Sequence, residues 1–258
     1  MCGVQKNTVL RLLAEVGDAC GFFHDDLVRG VRAKRIEADE IWSYCKAKER
    51  NVPANKKGDG VGDQWTWIAM DADTKLVISW LLAKRELWCA RVFMCDLRER
   101  TIGRVQISTD GFRGYLPAIE EAFGSDADNG QIIKQYGSMG QGRDPESRYS
   151  PAQVSSFYRV AVSGNPVMSD ISTSHVERKN LTLRMSSRRF TRLTNGYSKK
   201  ALNLNRALAL HFMYYNYVRK HSGIKGKTPA LAAGLTDRFW TLHDLANLPD
   251  VLRNREAA

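Results

Sequence analysis

The sequence predicts an α/β fold in which a mixed five-stranded sheet is flanked by helices. Three β-rich segments come first, the last two separated only by a short polar turn, as in an antiparallel hairpin. Helical and strand-like segments then alternate, the pattern of strands joined through covering helices. From Ser174 onward the chain is helical in character and supplies further elements to pack on the sheet.

The elements follow in order. "GVQKNTVLRLLAEVGDAC" places Val9, Leu12, Leu13 and Val16 at helical spacing. Its opening, "GVQKNTV", has the character of the turn and recognition helix of a helix-turn-helix, with few residues where the supporting helix would stand. The expectation for residues 1–30 is therefore a partial, truncated DNA-binding segment. A basic link leads into "RIEADEIWSYCKAK", rich in β-formers. "WTWIAMDADTKLVISWLLAKR" reads as strand, polar turn and strand, and "ELWCARVFMCDLRER" as a helix. "RVQISTDGF" is a short strand ending in Asp-Gly, "RGYLPAIEEAFG" a helix closed by glycine, and "QIIKQYG" a further strand. A loop-rich insertion is expected near 137–172, with one ordered segment around "PAQVSSFYRVAV". Ala201, Leu204, Leu208, Phe212 and Tyr215 then line one face of a long helix, and residues 221–258 form a C-terminal tail. This element order matches a ribonuclease H-like fold, with its main domain over residues 36–220.

At 258 residues, with 43% hydrophobic and 26% charged side chains, the chain can bury a substantial core and is not a disordered polymer. Its net charge of +11 points to a polyanionic partner, nucleic acid before an anionic membrane surface. The cysteines, Cys2, Cys20, Cys45, Cys89 and Cys95, are odd in number and contain no C-x-x-C pair, which argues against a disulfide framework or structural zinc. The first residues lack a signal-peptide core, and the apolar run "LVISWLLA" is too short to span a bilayer. A soluble cytoplasmic protein, nucleoid-associated through DNA and without a membrane partner, is expected.

Three acidic positions fall where such a fold gathers ligands. "ADEIW" puts Asp39 and Glu40 in the first strand, where neighbouring side chains face opposite ways, so only one of them is expected to enter a given site. Asp110 ends the fourth strand, and the carboxyl ends of strands are common ligand positions in α/β sheets. Glu177 heads the helix after the last strand. Taken singly each has an ordinary reading: Asp110-Gly111 as a turn, Asp39-Glu40 as a solvated strand end, Glu177 as a first-turn acid. Together, three carboxylates at one point repel unless cations neutralise them. Oxygen-only ligation favours Mg²⁺ or Mn²⁺, and a pair of such ions serves phosphoryl transfer.

Between Arg178 and Thr236 the chain carries 13 lysines and arginines and no acid. Arg184 and Arg188, seven and eleven residues past Glu177, are expected near its helical face, where they would clamp phosphates. Arg178, Lys179, Arg189 and Arg192 belong to the same tract and are candidate DNA contacts. His211 on the long helix reads as a core histidine.

"DEIW", "STDGFRGY" and "SHVERKNLTLR" resemble the three catalytic blocks of DDE transposases of bacterial insertion sequences, nearest the insertion-sequence-one type. The resemblance covers roughly residues 36–220, and the blocks come in the family's order. It implies a ribonuclease H-like catalytic domain and picks Asp39, not Glu40, as the first of three catalytic, metal-binding acids, with Asp110 and Glu177. It further implies two bound Mg²⁺ or Mn²⁺ ions, double-stranded DNA (transposon ends and target) as partner, and a homo-oligomer on paired ends. The opening "GVQKNTVLRLL" is similar to the DNA-binding segment such enzymes carry upstream, which makes Lys6 and Asn7 candidate DNA contacts. The expected activity is DNA cleavage and strand transfer. The rival expectation is a truncated relative that binds DNA without recombining it and competes with an intact transposase.

Overall fold

A computed structural model describes residues 3–56, 58, 60–136, 154–191 and 195–256. Helix α1 (Lys6–Leu27) precedes the strands β1 (Arg35–Cys45), β2 (Gly62–Asp71) and β3 (Val77–Ala83). Next come α2 (Leu87–Arg100), β4 (Val105–Thr109), α3 (Tyr115–Phe123), β5 (Ala127–Tyr136) and β6 (Val154–Ser163). Helices α4 (Ser174–Ser186) and α5 (Ala201–Met213) follow, and α5 runs on into a π-helical turn, Tyr214–Val218. Short α6 (Pro229–Ala232) and α7 (Leu242–Ala246), then α8 (Leu248–Glu256), close the chain.

The strands form one mixed sheet in the order β3-β2-β1-β4-β5-β6. β1, β4 and β5 run parallel to one another, while β2, β3 and β6 pair antiparallel to their neighbours. The sheet thus has six strands where the sequence suggests five. The sixth lies inside the expected insertion at 137–172, and its side chains are mostly exposed, so no buried face imprints an apolar alternation on it. Residues 137–153 of that insertion lie outside the described residues.

Alternation along the strands builds two cores. Ile36, Ala38, Trp67 and Ile107 point to one face and pack with Phe93 and Met94 of α2 and Tyr115 and Ile119 of α3. Ile41, Ile68, Met70 and Val77 point to the other, against Val176 and Leu183 of α4 and Leu204, Leu208 and Phe212 of α5. Each Val, Leu, Ile, Phe or Met among them, fully buried, contributes about 1.5–3 kcal/mol of transfer free energy. At its first residue, Val77, the β3 edge is capped by a side chain rather than a strand. The buried Asn216 accepts the Val77 N–H at 3.0 Å and donates to the Val77 carbonyl at 2.9 Å. A bare edge would leave both backbone groups unpaired.

Residues 6–27 form one continuous helix rather than a detached segment. Its second half is core, with Val16, Ala19, Cys20 and Phe23 buried, while Val9, Leu10 and Leu12 on the first half are exposed. It packs along α5, to which the Arg206 guanidinium ties it through both Asp18 oxygens at 2.7 Å. Gly17 makes the close approach. A Cβ there would lie 2.7 Å from Arg206 Cβ and 2.8 Å from the Arg206 carbonyl oxygen. Gly17→Ala should therefore force the two helices apart and lower stability by about 1–3 kcal/mol. A chemical-denaturation midpoint equal to the parent's would show that the two helices do not touch this closely in solution.

Candidate functional site

The site forms where β4 stops and β1 continues. The last paired residues of these strands are Ala38 and Thr109, so Asp39 and Asp110 stand side by side just beyond the ladder. Asp110 is fixed locally by accepting the Phe112 N–H at 2.9 Å, an Asx turn that follows from Asp-Gly after a strand. Glu40 projects to the opposite face from Asp39, beside the fully buried Tyr115 of α3. Carboxylate oxygens of Asp39, Glu40 and Asp110 nevertheless all lie within 4.8 Å of one another. The alternation of strand side chains is as expected. The inference that only one of the two neighbours can enter the site is corrected, because with β4 ended, Asp110 is reached from both faces.

Helix α4 supplies the remaining wall. Its first turn is tied to the sheet by Glu37, whose Oε2 accepts the backbone N–H of His175 at 2.7 Å and of Val176 at 3.0 Å. One turn later Asn180 donates to Asp39 Oδ2 at 2.8 Å. With the helix held at both points, Glu177 joins Asp39 and Asp110 on the lining of one cavity of about 790 Å³. Its carboxylate is not in the close cluster. Glu177 Oε1 is bound by Lys134 of β5 and by Thr173, each at 2.5 Å. Arg85, just past β3, lies 3.3 Å from Asp110 and 3.6 Å from Glu40, and its guanidinium stacks over Phe112 and Trp65.

Burial, with the charge of neighbouring carboxylates, pushes Asp39 and Glu40 toward protonation. Asp39 is raised to about 7, mainly by burial, then by the Asp110 charge, with a smaller push from Glu177. Glu40 is raised to about 8 by burial and Asp110, with Arg85 opposing. Burial raises Glu37 as well, against the two α4 N–H groups that favour its charge. Glu40 Oε1 and the Tyr115 hydroxyl are both buried and lie against each other, away from bulk water. Asp39, Glu40 and Asp110 thus bring together oxygen ligands that could hold a metal ion.

The candidate DNA-contact residues differ in exposure and in the elements that carry them. Lys6 and Asn7 are exposed on the first turn of α1. Arg178 is exposed on α4, and Arg184 is half-buried near its end. Arg188 and Arg189 fall beyond α4, in the 3-10 turn Arg188–Phe190, so the helical register expected between Glu177 and Arg188 is corrected. Lys179 is corrected too as a surface phosphate contact. It is 2% exposed, with its amine 2.9 Å from His211 Nε2 and 3.4 Å above the Tyr215 ring. Arg192 lies outside the described residues. Sequence reasoning passed over Glu37, Arg85, Lys134 and Asn180. Lys134 left a trace as a lone charge after Ile132 and Ile133 in a strand, and Glu37 shares its strand face with Asp39; Arg85 left none.

No helix among the described residues is long and apolar enough to cross a membrane. No protein-family model and no curated protein matches the chain.

Because folding raises the Asp39 and Glu40 pKa values, the folded chain binds more protons than the unfolded one between the ordinary carboxylate range and about pH 8. Stability contributed by these groups is full at low pH and is lost as pH rises through that window. In chelator, the thermal midpoint should fall between mildly acidic and mildly alkaline pH. Glu40→Gln should flatten the slope and stabilise the protein at the alkaline end by on the order of 1 kcal/mol. An unchanged slope in Glu40→Gln would remove this carboxylate as its source.

Proposed function

We propose that the chain is a DDE-type transposase of the insertion-sequence kind, built on a ribonuclease H-like fold, which cleaves and joins double-stranded DNA with Mg²⁺ or Mn²⁺. The observation that carries this reading is that Asp39, Asp110 and Glu177, from three separate sequence blocks, line one cavity. The β3-β2-β1-β4-β5 order, with β6 added at the edge, supports the fold assignment. The net charge of +11 supports a DNA partner, and action on paired ends as an oligomer belongs to the same reading.

In this reading Asp39 and Asp110 would hold the cations, with Glu40 in the same close cluster and Glu177 on the wall of the same cavity. Bound divalent ions would supply activation of the attacking oxygen and neutralisation of the leaving one. The chain's own residues do the rest. Asn180 and the Glu37-anchored α4 fix the orientation of Asp39 and Glu177. Arg113 and Lys134, on the cavity wall with Arg85, offer charge to the phosphates of the strand being cut. Hydrolysis at the element's end frees a 3′ hydroxyl, which then attacks a target phosphodiester, forming a new P–O bond as the target strand's own 3′ oxygen leaves as a hydroxyl.

Purified protein with duplex DNA carrying the element's ends and Mn²⁺ should give nicked and joined products. Asp110→Asn should lower the rate by at least about a hundredfold while leaving DNA retention intact. Undiminished activity in that variant would sink the assignment. A second reading, a protein that binds DNA without recombining it, is favoured by one observation: Glu177 is bound by Lys134 and Thr173 outside the close cluster. DNA retention without cleavage by the parent protein would support it.

A further inference from the structure

A second, smaller cavity of about 90 Å³ opens on the other flank of α4, between that helix, the β2–β3 turn and the segment after the π-helical turn. Lys75, His175, Arg178, Lys179, Arg219 and His221 line it, with Tyr215 and Thr182, and no carboxylate does. Among the described residues, none of the ion pairs engages Lys75, Arg178, Lys179 or Arg219, whereas Arg29, Arg35, Arg85, Arg98, Arg100 and Arg104 are all paired. The nearest acids are committed elsewhere: Glu37 to the first turn of α4, and Asp73 to Arg35.

The lining groups are held in place. Asp71 accepts the Asp73 N–H at 3.0 Å and the Thr74 hydroxyl at 2.5 Å, which fixes the turn presenting Lys75 in a left-handed conformation with φ 63°. His221 Nδ1 accepts the Gly223 N–H at 3.1 Å, so in the neutral ring Nε2 carries the proton, and the Tyr215 ring meets the imidazole edge-on. The volume is that of about three waters, the size of a tetrahedral oxyanion. Positive groups converging on so small a space repel one another; Glu37, Asp73 and Asp71 relieve this only in part, at Lys75, and an oxyanion in the cavity would relieve it further.

We propose that this cavity binds a phosphoryl oxyanion, either a phosphodiester of a nucleic-acid strand or free phosphate, through Lys75, Arg178, Arg219 and His221. Burial, then the charges of Lys75, Arg219 and Lys179, hold the His221 pKa below its ordinary value. The site stands apart from the metal reading, and its test needs neither metal nor turnover.

The test uses the full chain in chelator, with the histidine ring resonances followed by NMR. Inorganic phosphate at millimolar concentration should shift the His221 and His175 signals. Lys75→Gln and Arg219→Gln should each weaken that binding by about tenfold, Lys75→Arg should restore most of it, and Arg253→Gln, on α8 outside the cavity, should leave it unchanged. A short DNA duplex that displaces phosphate and shifts the same signals identifies a strand phosphodiester as occupant; phosphate that remains bound identifies the free ion. Either result supports the oxyanion site. No shift with phosphate or duplex, or equal binding in folded Lys75→Gln and Arg219→Gln proteins, overturns it.

Discussion

One buried carboxylate holds the arrangement together. Glu37, 2% exposed inside β1, would cost several kcal/mol if left unpaired. It is stabilised by the first N–H groups of α4, which are themselves orphans of a helix end. The two needs cancel, and the geometry of that cancellation sets where α4 begins. Asn180, reaching Asp39 one turn later, then sets its direction. Glu177 has its place over the cavity because β1 and α4 are joined at these two points, not because of any contact of its own with Asp39 or Asp110.

The cost of this arrangement is a cluster of acids that cannot all be charged without help. Asp39, Glu40 and Asp110 are closer to one another than like charges tolerate in a low-dielectric setting. Two cations of the chain offset part of the repulsion, Arg85 at Glu40 and Asp110, and Lys134 at Glu177. Arg85 is about one-third exposed and 3.3–3.6 Å from its partners, a screened contact that holds weakly. A metal ion held among the three carboxylates would offset their repulsion more fully than such a contact, and the Phe112 and Trp65 rings hold Arg85 beside them.

Much of the sheet was legible because its strands alternate or run apolar between turn residues, and the order of elements followed. β6 was not legible as the sixth strand of the sheet, since a strand with exposed faces is held by backbone pairing to β5, which side-chain pattern does not record. In the site, the acids could be listed from sequence, but the partnership of Glu40 with Asp110 depends on β4 ending one residue before Asp110 while β1 continues. Lys134, Arg85 and Glu37 matter through contacts across 43, 25 and 138 positions of chain, which no local spacing carries.

The basic tract shows the same limit from the other side. Read linearly it is one cationic face; folded, it divides. Lys179 turns inward onto Tyr215 and His211, and Arg206 closes on Asp18 of α1. Helix α4 makes the division intelligible. Val176, Lys179, Asn180 and Leu183 form its buried stripe, at the i, i+3, i+4, i+7 spacing of a helix seated on a sheet. Thr173 and Glu177 fall on one flank of that stripe, and His175, Arg178 and Thr182 on the other. The acidic cavity and the cationic cavity are therefore two sides of one helix, and its seating by Glu37 fixes them relative to each other. A change that rotated α4 on the sheet would disturb both, whereas a change on either flank would disturb one.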